Sequence, residues 1–216
     1  MDFQTTATKI AGALSCLPKY WDGRRVILEM KSADFPHWRQ MEWIGFYFEF
    51  LCSKHLSGIT QIPGPRYGNV EFDGFLDVPW DFKAHAMNAS RDQVIVNDSL
   101  AISAGIQEFG CVGLILAMGK VEYNDENRSF KKWHNGLKGG LSDYEKERIR
   151  RRASSRSRKV SFDLQRISFI QITDETLVIS GSFQSGFRNS NGRPRKGKLL
   201  LDLKKIDKEV VCFVEF

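Results

Sequence analysis

The sequence lacks the features that mark secreted, membrane-spanning or zinc-binding proteins. Its four cysteines are widely spaced and form no Cys-x-x-Cys pair, which favours reduced thiols over disulfides or a zinc site. No run of about 18 apolar residues is present, and the N-terminus lacks a charged segment followed by an apolar core. No internal repeat is visible. We therefore expect a soluble, intracellular, cytoplasmic protein without a membrane partner.

The length and the composition are those of one ordinary globular domain. The chain has 216 residues, of which 42% are hydrophobic and 27% are charged. This is enough chain for one domain with a real core and too little for two comfortable ones. We predict a single domain over residues 1–216.

Positive charge is concentrated in one part of the chain. The net charge is +6, yet Arg128–Lys159 holds 12 Lys and Arg against 3 Asp and Glu. That segment therefore carries +9 and the rest of the chain carries −3. A concentrated basic patch is the electrostatic footprint of a nucleic-acid-binding protein.

The middle of the chain predicts helices and strands in alternation. An aromatic-rich segment at about 35–56 predicts a mostly buried helix, which carries Glu42 and Glu49 two turns apart on one side. Val94–Val96 predicts a short strand, and the apolar run 111–117 predicts a strand buried on both faces, with a helix between them. This order indicates a βαβ unit and an α/β (α+β) fold, with a mixed central sheet flanked by helices.

The C-terminal third is predicted to be rich in β-structure. The predicted strands cover residues 160–172, 177–183, 198–203 and 210–214. We therefore divide the domain into a core at about 36–120 and a basic, β-rich extension at about 128–216.

The most informative segment runs from Glu71 to His85. In a hairpin centred on Asp77, Asp73 and Asp81 lie opposite each other. Lys83 follows Asp81 by two residues and therefore shares its face of the strand. The opposite face then collects three apolar residues, Phe72, Trp80 and Phe82. Two carboxylates and an ammonium on one face are unfavourable to assemble without a chemical purpose.

Such a cluster suits a divalent cation and an attacking water. Mg²⁺ prefers a few carboxylates together with waters and phosphate oxygens. Asp73 would hold one metal or bridge two, and Asp81 and the Phe82 carbonyl would complete the coordination. A glutamate of the preceding helix, Glu49 or alternatively Glu42, would contribute the remaining ligand. We favour Glu49, which lies deeper in the aromatic segment.

Lys83 would orient and help to deprotonate the attacking water, or stabilise the charge that develops.

The residues of this cluster also have plainer interpretations. Alternatively, Asp81 and Lys83 form an exposed ion pair on an edge strand. Glu42 and Glu49 could be solvated charges on a buried helix. His85, on the face of Lys83, could position phosphate or water, although a structural histidine is the favoured interpretation.

This pattern resembles the PD-(D/E)XK nuclease motif. Asp73, nine residues and then Lys83, within Asp81-Phe82-Lys83, match its spacing, and the order of a helical glutamate, a hairpin and a βαβ unit matches the family's core. The likeness covers roughly 38–118, about a third of the chain. Phe72 stands where the family often has proline. The motif is degenerate, and its weight comes from this context.

Within that family the chain is most similar to a type II restriction endonuclease. The resemblance implies a restriction-endonuclease-like core and Mg²⁺-dependent hydrolysis of phosphodiester bonds in double-stranded DNA at a short palindromic site. It also implies a homodimer that cuts both strands, and a prokaryotic source.

Two segments are candidate DNA contacts. The basic run is expected to contact the phosphate backbone through Arg150, Arg151, Arg152, Arg156, Arg158 and Lys159. Alternatively, this run is disordered or serves as a sorting signal. A polar loop could contact bases through Gln184, Arg188, Asn189, Asn191, Arg193 and Arg195. Alternatively, it is a solvated hairpin loop with an Asn-Gly turn.

Three other functions stay open on the sequence alone. A non-catalytic nucleic-acid-binding protein explains the basic patch equally well, but it does not explain the shared face of Asp73, Asp81 and Lys83. A repair or structure-specific nuclease keeps the same core and changes the substrate. An unrelated α+β interaction domain is the remaining alternative.

Overall fold

The computed structural model describes residues 2–89, 92–123, 125–153, 157–184, 197–206 and 209–216, with the backbone alone at 144, 183 and 184. The α-helices are α1 (Phe3–Leu14), α2 (Gly23–Ser32), α3 (Trp43–Leu56), α4 (Ser99–Phe109), α5 (Ser129–Leu137), α6 (Asp143–Arg150) and α7 (Asp174–Ser180), and a 3-10 turn spans Pro36–Arg39. The strands are β1 (Tyr20–Asp22), β2 (Arg66–Tyr67), β3 (Val70–Glu71), β4 (Gly74–Leu76), β5 (Val78–Ala86), β6 (Gln93–Asp98), β7 (Val112–Glu122), β8 (Ser161–Ile172), β9 (Gly181–Gln184), β10 (Lys198–Asp202) and β11 (Val210–Glu215). Within the described ranges, no helix is long and apolar enough to cross a membrane.

A curled mixed sheet with helices around it forms the centre of the molecule. Its strand order is β1-β8-β7-β5-β4, and β11 also pairs with β8. Strands β5 and β7 run parallel, whereas the other pairs in this sheet are antiparallel. The predicted α+β class with a mixed central sheet is confirmed. Strand β8, from the predicted β-rich extension, lies inside this sheet beside β7 of the predicted core.

Strand β7 separates two hydrophobic cores because its side chains alternate between the faces of the sheet. Ile115 and Ala117 belong to a cluster built with α1, α2 and α3, and Leu114 and Leu116 belong to one built with α4, β6 and β10. All four side chains are fully buried. Burial on both faces confirms the prediction from the apolar run.

Three predicted elements are corrected by the structure. The predicted strand at 94–96 exists as β6, but it pairs with β10 in a separate three-stranded sheet, so β5 and β7 are the parallel strands of the βαβ unit. The predicted strand at 177–183 is mostly helix α7, because Thr173 caps its N-terminus and Asp174 and Glu175 suit the first turn. The predicted helix at 35–56 is divided into the 3-10 turn and α3.

Candidate active site

A tight hairpin brings the two predicted aspartates together. Strands β4 and β5 pair antiparallel in a register that places Gly74 opposite Trp80. Asp77 forms the turn with φ +59°, a left-handed conformation that aspartate adopts more readily than most residues. Continuing the register by one step places Asp73 opposite Asp81. The predicted hairpin centred on Asp77 is therefore confirmed.

Contacts from distant segments hold this hairpin in place. The Thr6 hydroxyl on α1 donates a hydrogen bond of 2.6 Å to Asp77 Oδ2 in the turn. Trp80 stacks on Phe3 with ring centroids 5.0 Å apart. Trp80 also covers Gly113 of β7, where an added Cβ would lie 2.2 Å from the indole ring. The turn and the start of β5 are thus fixed against both α1 and β7.

The parallel register shows which face of β5 carries the polar residues. Asp81 pairs with Leu114 and Lys83 pairs with Leu116, and both leucines belong to the core cluster on the α4 side of the sheet. Phe72 was predicted on the opposite face, but it joins the same cluster as these leucines. The reason is that the chain before β4 departs from the hairpin, and the Phe72 N–H donates to the preceding loop instead.

Lys83 links the two aspartates of the hairpin. Its Nζ lies 2.8 Å from Asp81 Oδ1 and 3.5 Å from Asp73 Oδ2, and it donates to the Phe82 carbonyl at 2.9 Å. The Phe82 N–H donates to Asp73 Oδ2 at 2.6 Å. These bonds fix the positions of both carboxylates relative to β5. The exposed edge-strand interpretation is wrong for Asp81, whose side chain is 1% exposed.

Glu49 joins this group from helix α3. Burial and the negative charges of Asp73 and Asp81 together raise the pKa of the Glu49 carboxyl to about 8, against the opposing effect of Lys83. Glu49 lines one cavity together with Lys83 and a smaller one together with Asp73. The structure therefore places a third carboxylate, from a helix, beside the ion-paired residues of the hairpin.

Asp81 is the most deeply buried carboxylate of the group. Burial raises its pKa to about 7, although the neighbouring Lys83 acts to lower it. Its Oδ2 is buried and has no hydrogen-bond partner among the described residues. A buried carboxylate oxygen without a partner is unfavourable unless it binds a proton or a cation.

Lys83 keeps its proton in this environment. Burial acts to lower the pKa of the ammonium, but the negative charges of Asp81 and Asp73 outweigh that effect and raise the pKa. Of its two predicted roles, stabilising negative charge is therefore favoured over deprotonating a water, because the protonated amine cannot accept another proton.

Glu42, the alternative to Glu49, lies elsewhere. It precedes α3, and its Oε2 forms an ion pair of 2.7 Å with Lys159 Nζ. Its side chain is 55% exposed. Glu49 thus lies beside the hairpin, whereas Glu42 and its partner Lys159 lie farther along a cavity of about 440 Å³ that Glu49 also lines.

The polar cluster has the charge of a divalent-cation site but not the geometry of a preformed one. With all groups ionised, three carboxylates and one ammonium carry a charge of −2, which a divalent cation would neutralise. Asp73, Asp81, Glu49 and the Phe82 carbonyl are the oxygen donors that could hold Mg²⁺. However, within the described residues no group of three His, Cys, Asp or Glu side chains is arranged so that it could hold a metal ion, and the Lys83 ammonium pairs with both aspartates.

Two cavities border the cluster. One, of about 440 Å³, is lined by Glu49, Lys83, His85 and Lys159 together with residues of α3 and β6. A smaller one, of about 200 Å³, is lined by Asp73 and Glu49. Burial lowers the pKa of His85, so its ring is neutral at pH 7, and its Nε2 has no hydrogen-bond partner in the described part of the chain. His85 thus lines the larger cavity with an unpartnered Nε2 that is itself buried.

The basic run does not form one exposed face. Arg150 and Arg151 are exposed and both pair with Glu147, at 2.7 and 2.6 Å. Arg152 is exposed. In contrast, Arg158 is 7% exposed. The sequence does not predict this burial, because it depends on packing between distant segments.

Lys159 occupies a position that the sequence did not reveal. It was predicted as one of several backbone contacts, yet it lines the cavity beside Glu49 and Lys83. Its carbonyl accepts a hydrogen bond of 2.8 Å from Trp43 Nε1, which ties the basic segment to α3.

Several predicted DNA contacts lie outside the described residues. They are Arg156, Arg188, Asn189, Asn191, Arg193 and Arg195. Gln184 ends β9, and its side chain also lies outside the description. These contacts stay predictions.

Comparison of the chain with protein-family models, with curated proteins and with solved structures gives no match. The resemblance to PD-(D/E)XK nucleases therefore depends on the motif and on the geometry described above.

Proposed function

We propose that the protein is a Mg²⁺-dependent endonuclease that hydrolyses phosphodiester bonds in double-stranded DNA. The observation that carries the proposal is the pairing of Asp73 and Asp81 with Lys83 on the hairpin, beside Glu49 of α3. These residues have the types and the chain order of a PD-(D/E)XK nuclease site. When all of them are ionised they also carry a surplus of negative charge, which a divalent cation would offset.

In this proposal each residue of the cluster has a separate task. Asp73 and Asp81 hold the cation, with the Phe82 carbonyl and Glu49 as the further oxygen donors. When bound, Mg²⁺ lowers the pKa of a coordinated water and offsets charge on the scissile phosphate. Lys83, which stays protonated, stabilises the charge that develops on the phosphate oxygens.

The cavity beside the cluster suits the approach of a phosphate. Lys159, which pairs with Glu42 at 2.7 Å, and His85 line this cavity together with Lys83. Because both residues share a cavity with Lys83, they would orient the scissile phosphate rather than bind the metal. The exposed Arg150, Arg151 and Arg152 would contribute affinity for the DNA backbone.

The finer features of the proposal come from the family resemblance. They are a prokaryotic type II restriction endonuclease, a homodimer and a short palindromic site. A repair or structure-specific nuclease with the same site is the alternative. Cleavage of branched or damaged DNA irrespective of sequence would favour that alternative, and discrete plasmid fragments would favour the restriction enzyme.

One observation favours a second function, that of a non-catalytic DNA-binding protein. The Lys83 ammonium already bridges Asp73 and Asp81, so these residues could form a purely structural ion-pair network. Divalent cations separate the two functions, since such a network would neither bind Mg²⁺ nor cut DNA.

Plasmid digestion tests the proposal. Wild type and Lys83→Ala are incubated with plasmid DNA in Mg²⁺ or in EDTA, and Lys120→Ala serves as the control because Lys120 is an exposed lysine on β7. We expect wild type and the control to cut only with Mg²⁺. Lys83→Ala should still bind DNA, but its cleavage rate should fall by about 100-fold or more. Tight, salt-sensitive binding without cleavage by wild type in any condition would leave the DNA-binding protein.

A further inference from the structure

A third cavity, separate from the two that border the acidic cluster, is also lined by polar residues. Its volume is about 620 Å³, and it is bordered by the 3-10 turn, the end of α5 and the start of α6. Neighbouring residues of the chain line this cavity and the 440 Å³ one: Arg158 lines this cavity and Lys159 lines the other, while Gln40 lines this cavity and Glu42 lines the other. Nothing in the proposed nuclease chemistry uses this cavity.

Three cations line the cavity, namely Arg39, Lys138 and Arg158. Arg158 is 7% exposed, and its Nη1 has no hydrogen-bond partner within the described ranges. A buried guanidinium with an unsatisfied N–H is costly, and it is usually paired with an anion. Such an arrangement indicates that an anionic ligand completes it.

The cations also repel one another across the cavity. Burial lowers the pKa of Lys138, and the neighbouring charges of Arg158 and Arg39 lower it further, against the opposing effect of Glu145. Burial likewise lowers the pKa of Arg158, against the opposing effect of Glu145, Glu42 and Asp125. A bound anion would relieve both the repulsion and the loss of solvation.

The carboxylates at the cavity already have partners. Glu145 accepts hydrogen bonds from Arg148 at 2.8 and 2.9 Å and also pairs with Lys131. Asp143 pairs with Lys146 at 3.0 Å and is almost fully exposed. Because Arg148, Lys131 and Lys146 do not line the cavity, the charge of these two carboxylates is shared between those partners and the three lining cations.

We propose that this cavity binds a phosphate group of a nucleotide or of a nucleic-acid strand. A guanidinium matches phosphate oxygens with paired N–H donors, and a phosphate monoester carries enough charge to offset several cations. The volume suits a ligand larger than phosphate alone. The ligand comes either from the end of a strand that also reaches the neighbouring cavity or from a free mononucleotide.

Calorimetric titration in EDTA tests this proposal. The titrants are inorganic phosphate, adenosine monophosphate, and one oligonucleotide with either a 5′-phosphate or a 5′-hydroxyl group. Lys138→Met is compared with Lys132→Met, because Lys132 is exposed on the neighbouring α5 and does not line the cavity. We expect Lys138→Met to weaken phosphate binding about tenfold, and Lys132→Met to leave it within about twofold.

The pattern of binding identifies the source of the phosphate. Tighter binding of the 5′-phosphorylated oligonucleotide than of its 5′-hydroxyl form supports a strand end, and the monophosphate binding at least as tightly as either supports a free nucleotide. No saturable binding by wild type, or equal weakening by both lysine variants, would overturn the proposal.

The test also separates this inference from the proposed nuclease function. Asp73→Asn should slow cleavage by about 100-fold or more and leave phosphate binding in EDTA unchanged, because Asp73 does not line this cavity. Phosphate binding by a wild type that never cuts DNA would thus keep the anion site and remove the nuclease.

Discussion

The candidate active site and the cation-lined cavity carry opposite surpluses of charge. The first places Asp73 and Asp81 on one ammonium beside Glu49, and the second brings Arg39, Lys138 and Arg158 together beside two carboxylates that already pair with other cations. Each therefore has the charge that a ligand of the opposite sign would balance. The acidic cluster would take a cation, and the basic one would take a phosphate.

The two regions also differ in how the chain builds them. The acidic cluster lies mainly on one hairpin, whose register follows from a turn at Asp77 and from alternation along β5. The basic cavity combines side chains from positions 39, 138 and 158, which are distant in sequence. A local pattern can thus encode a site, whereas a site assembled from distant segments requires the folded structure to reveal it.

The largest expected effect comes from removing one charge of the acidic cluster. Asp73→Asn keeps the shape of the side chain and removes its charge, so we expect the rate of Mg²⁺-dependent cleavage to fall by about 100- to 1,000-fold. Single-turnover cleavage with excess enzyme measures the change.

A measurement without DNA checks the same variant. Mg²⁺ should raise the unfolding midpoint of wild type, and Asp73→Asn should weaken that increase. Equal stabilisation of both proteins by Mg²⁺ would show that Asp73 is not a ligand. A circular-dichroism spectrum like that of wild type serves as the control for folding.

Buried cations in the two regions should differ in their effect on stability. Lys83→Met leaves the buried Asp81 carboxylate without its partner, and we expect a loss of about 2 kcal/mol in the free energy of unfolding at pH 8. This figure lies below that for a fully buried pair because the Lys83 side chain is 28% exposed.

The matched change Arg158→Met should lower the free energy of unfolding by less than about 1 kcal/mol in phosphate-free buffer, because it removes an unsatisfied guanidinium and keeps much of the apolar volume. Urea unfolding of both variants checks the comparison. A larger loss from Arg158→Met than from Lys83→Met would reverse the assignment of paired and unpaired charge.

The stability of the metal-free protein should depend on pH through the acidic cluster. The Glu49 pKa rises from 4.5 to about 8 on folding, so the folded chain holds a proton that the unfolded chain has lost between these values. The free energy of unfolding therefore falls as pH rises through this window. Asp81 acts in the same direction between 3.8 and about 7.

Glu49→Gln should flatten this dependence, because the amide does not titrate. We expect the variant to lose less stability than wild type between pH 5 and pH 8, by on the order of 1 kcal/mol. Urea unfolding in EDTA at several pH values provides the test. Glu42→Gln is the matched control, since Glu42 is exposed and paired with Lys159. Parallel pH profiles for Glu49→Gln and wild type would contradict the coupling.

Local pattern predicts much of the fold and of the acidic cluster. The apolar run at 111–117 predicts β7, and the symmetry about Asp77 predicts the hairpin. The choice between Glu42 and Glu49 could not be settled from spacing, because both project from one side of an ideal helix. In the structure α3 begins only at Trp43, so Glu42 precedes the helix and turns toward Lys159.

Other features could not be predicted because they depend on contacts between distant segments. The basic run was expected to be one phosphate-contacting segment, yet the burial of Arg158 separates it from the exposed Arg150 and Arg151. Strand β6 has the local pattern of a strand, but the pattern does not determine which strand it pairs with. Sheet membership is set by long-range packing rather than by propensity.

A small effect is also expected from loss of the long-range anchor of the hairpin. Thr6→Val removes the hydroxyl that donates to Asp77 Oδ2 and keeps the shape of the side chain, so we expect a loss of about 1 kcal/mol in the free energy of unfolding. Thr8→Val is the matched control, because Thr8 is exposed on the same helix and its hydroxyl donates to the carbonyl of Gln4 in that helix rather than to the hairpin. If local register alone positions Asp73 opposite Asp81, Thr6→Val should leave the Mg²⁺-dependent cleavage rate within about threefold of wild type. A larger fall would mean that the acidic cluster, like the basic cavity, depends on a distant segment for its geometry.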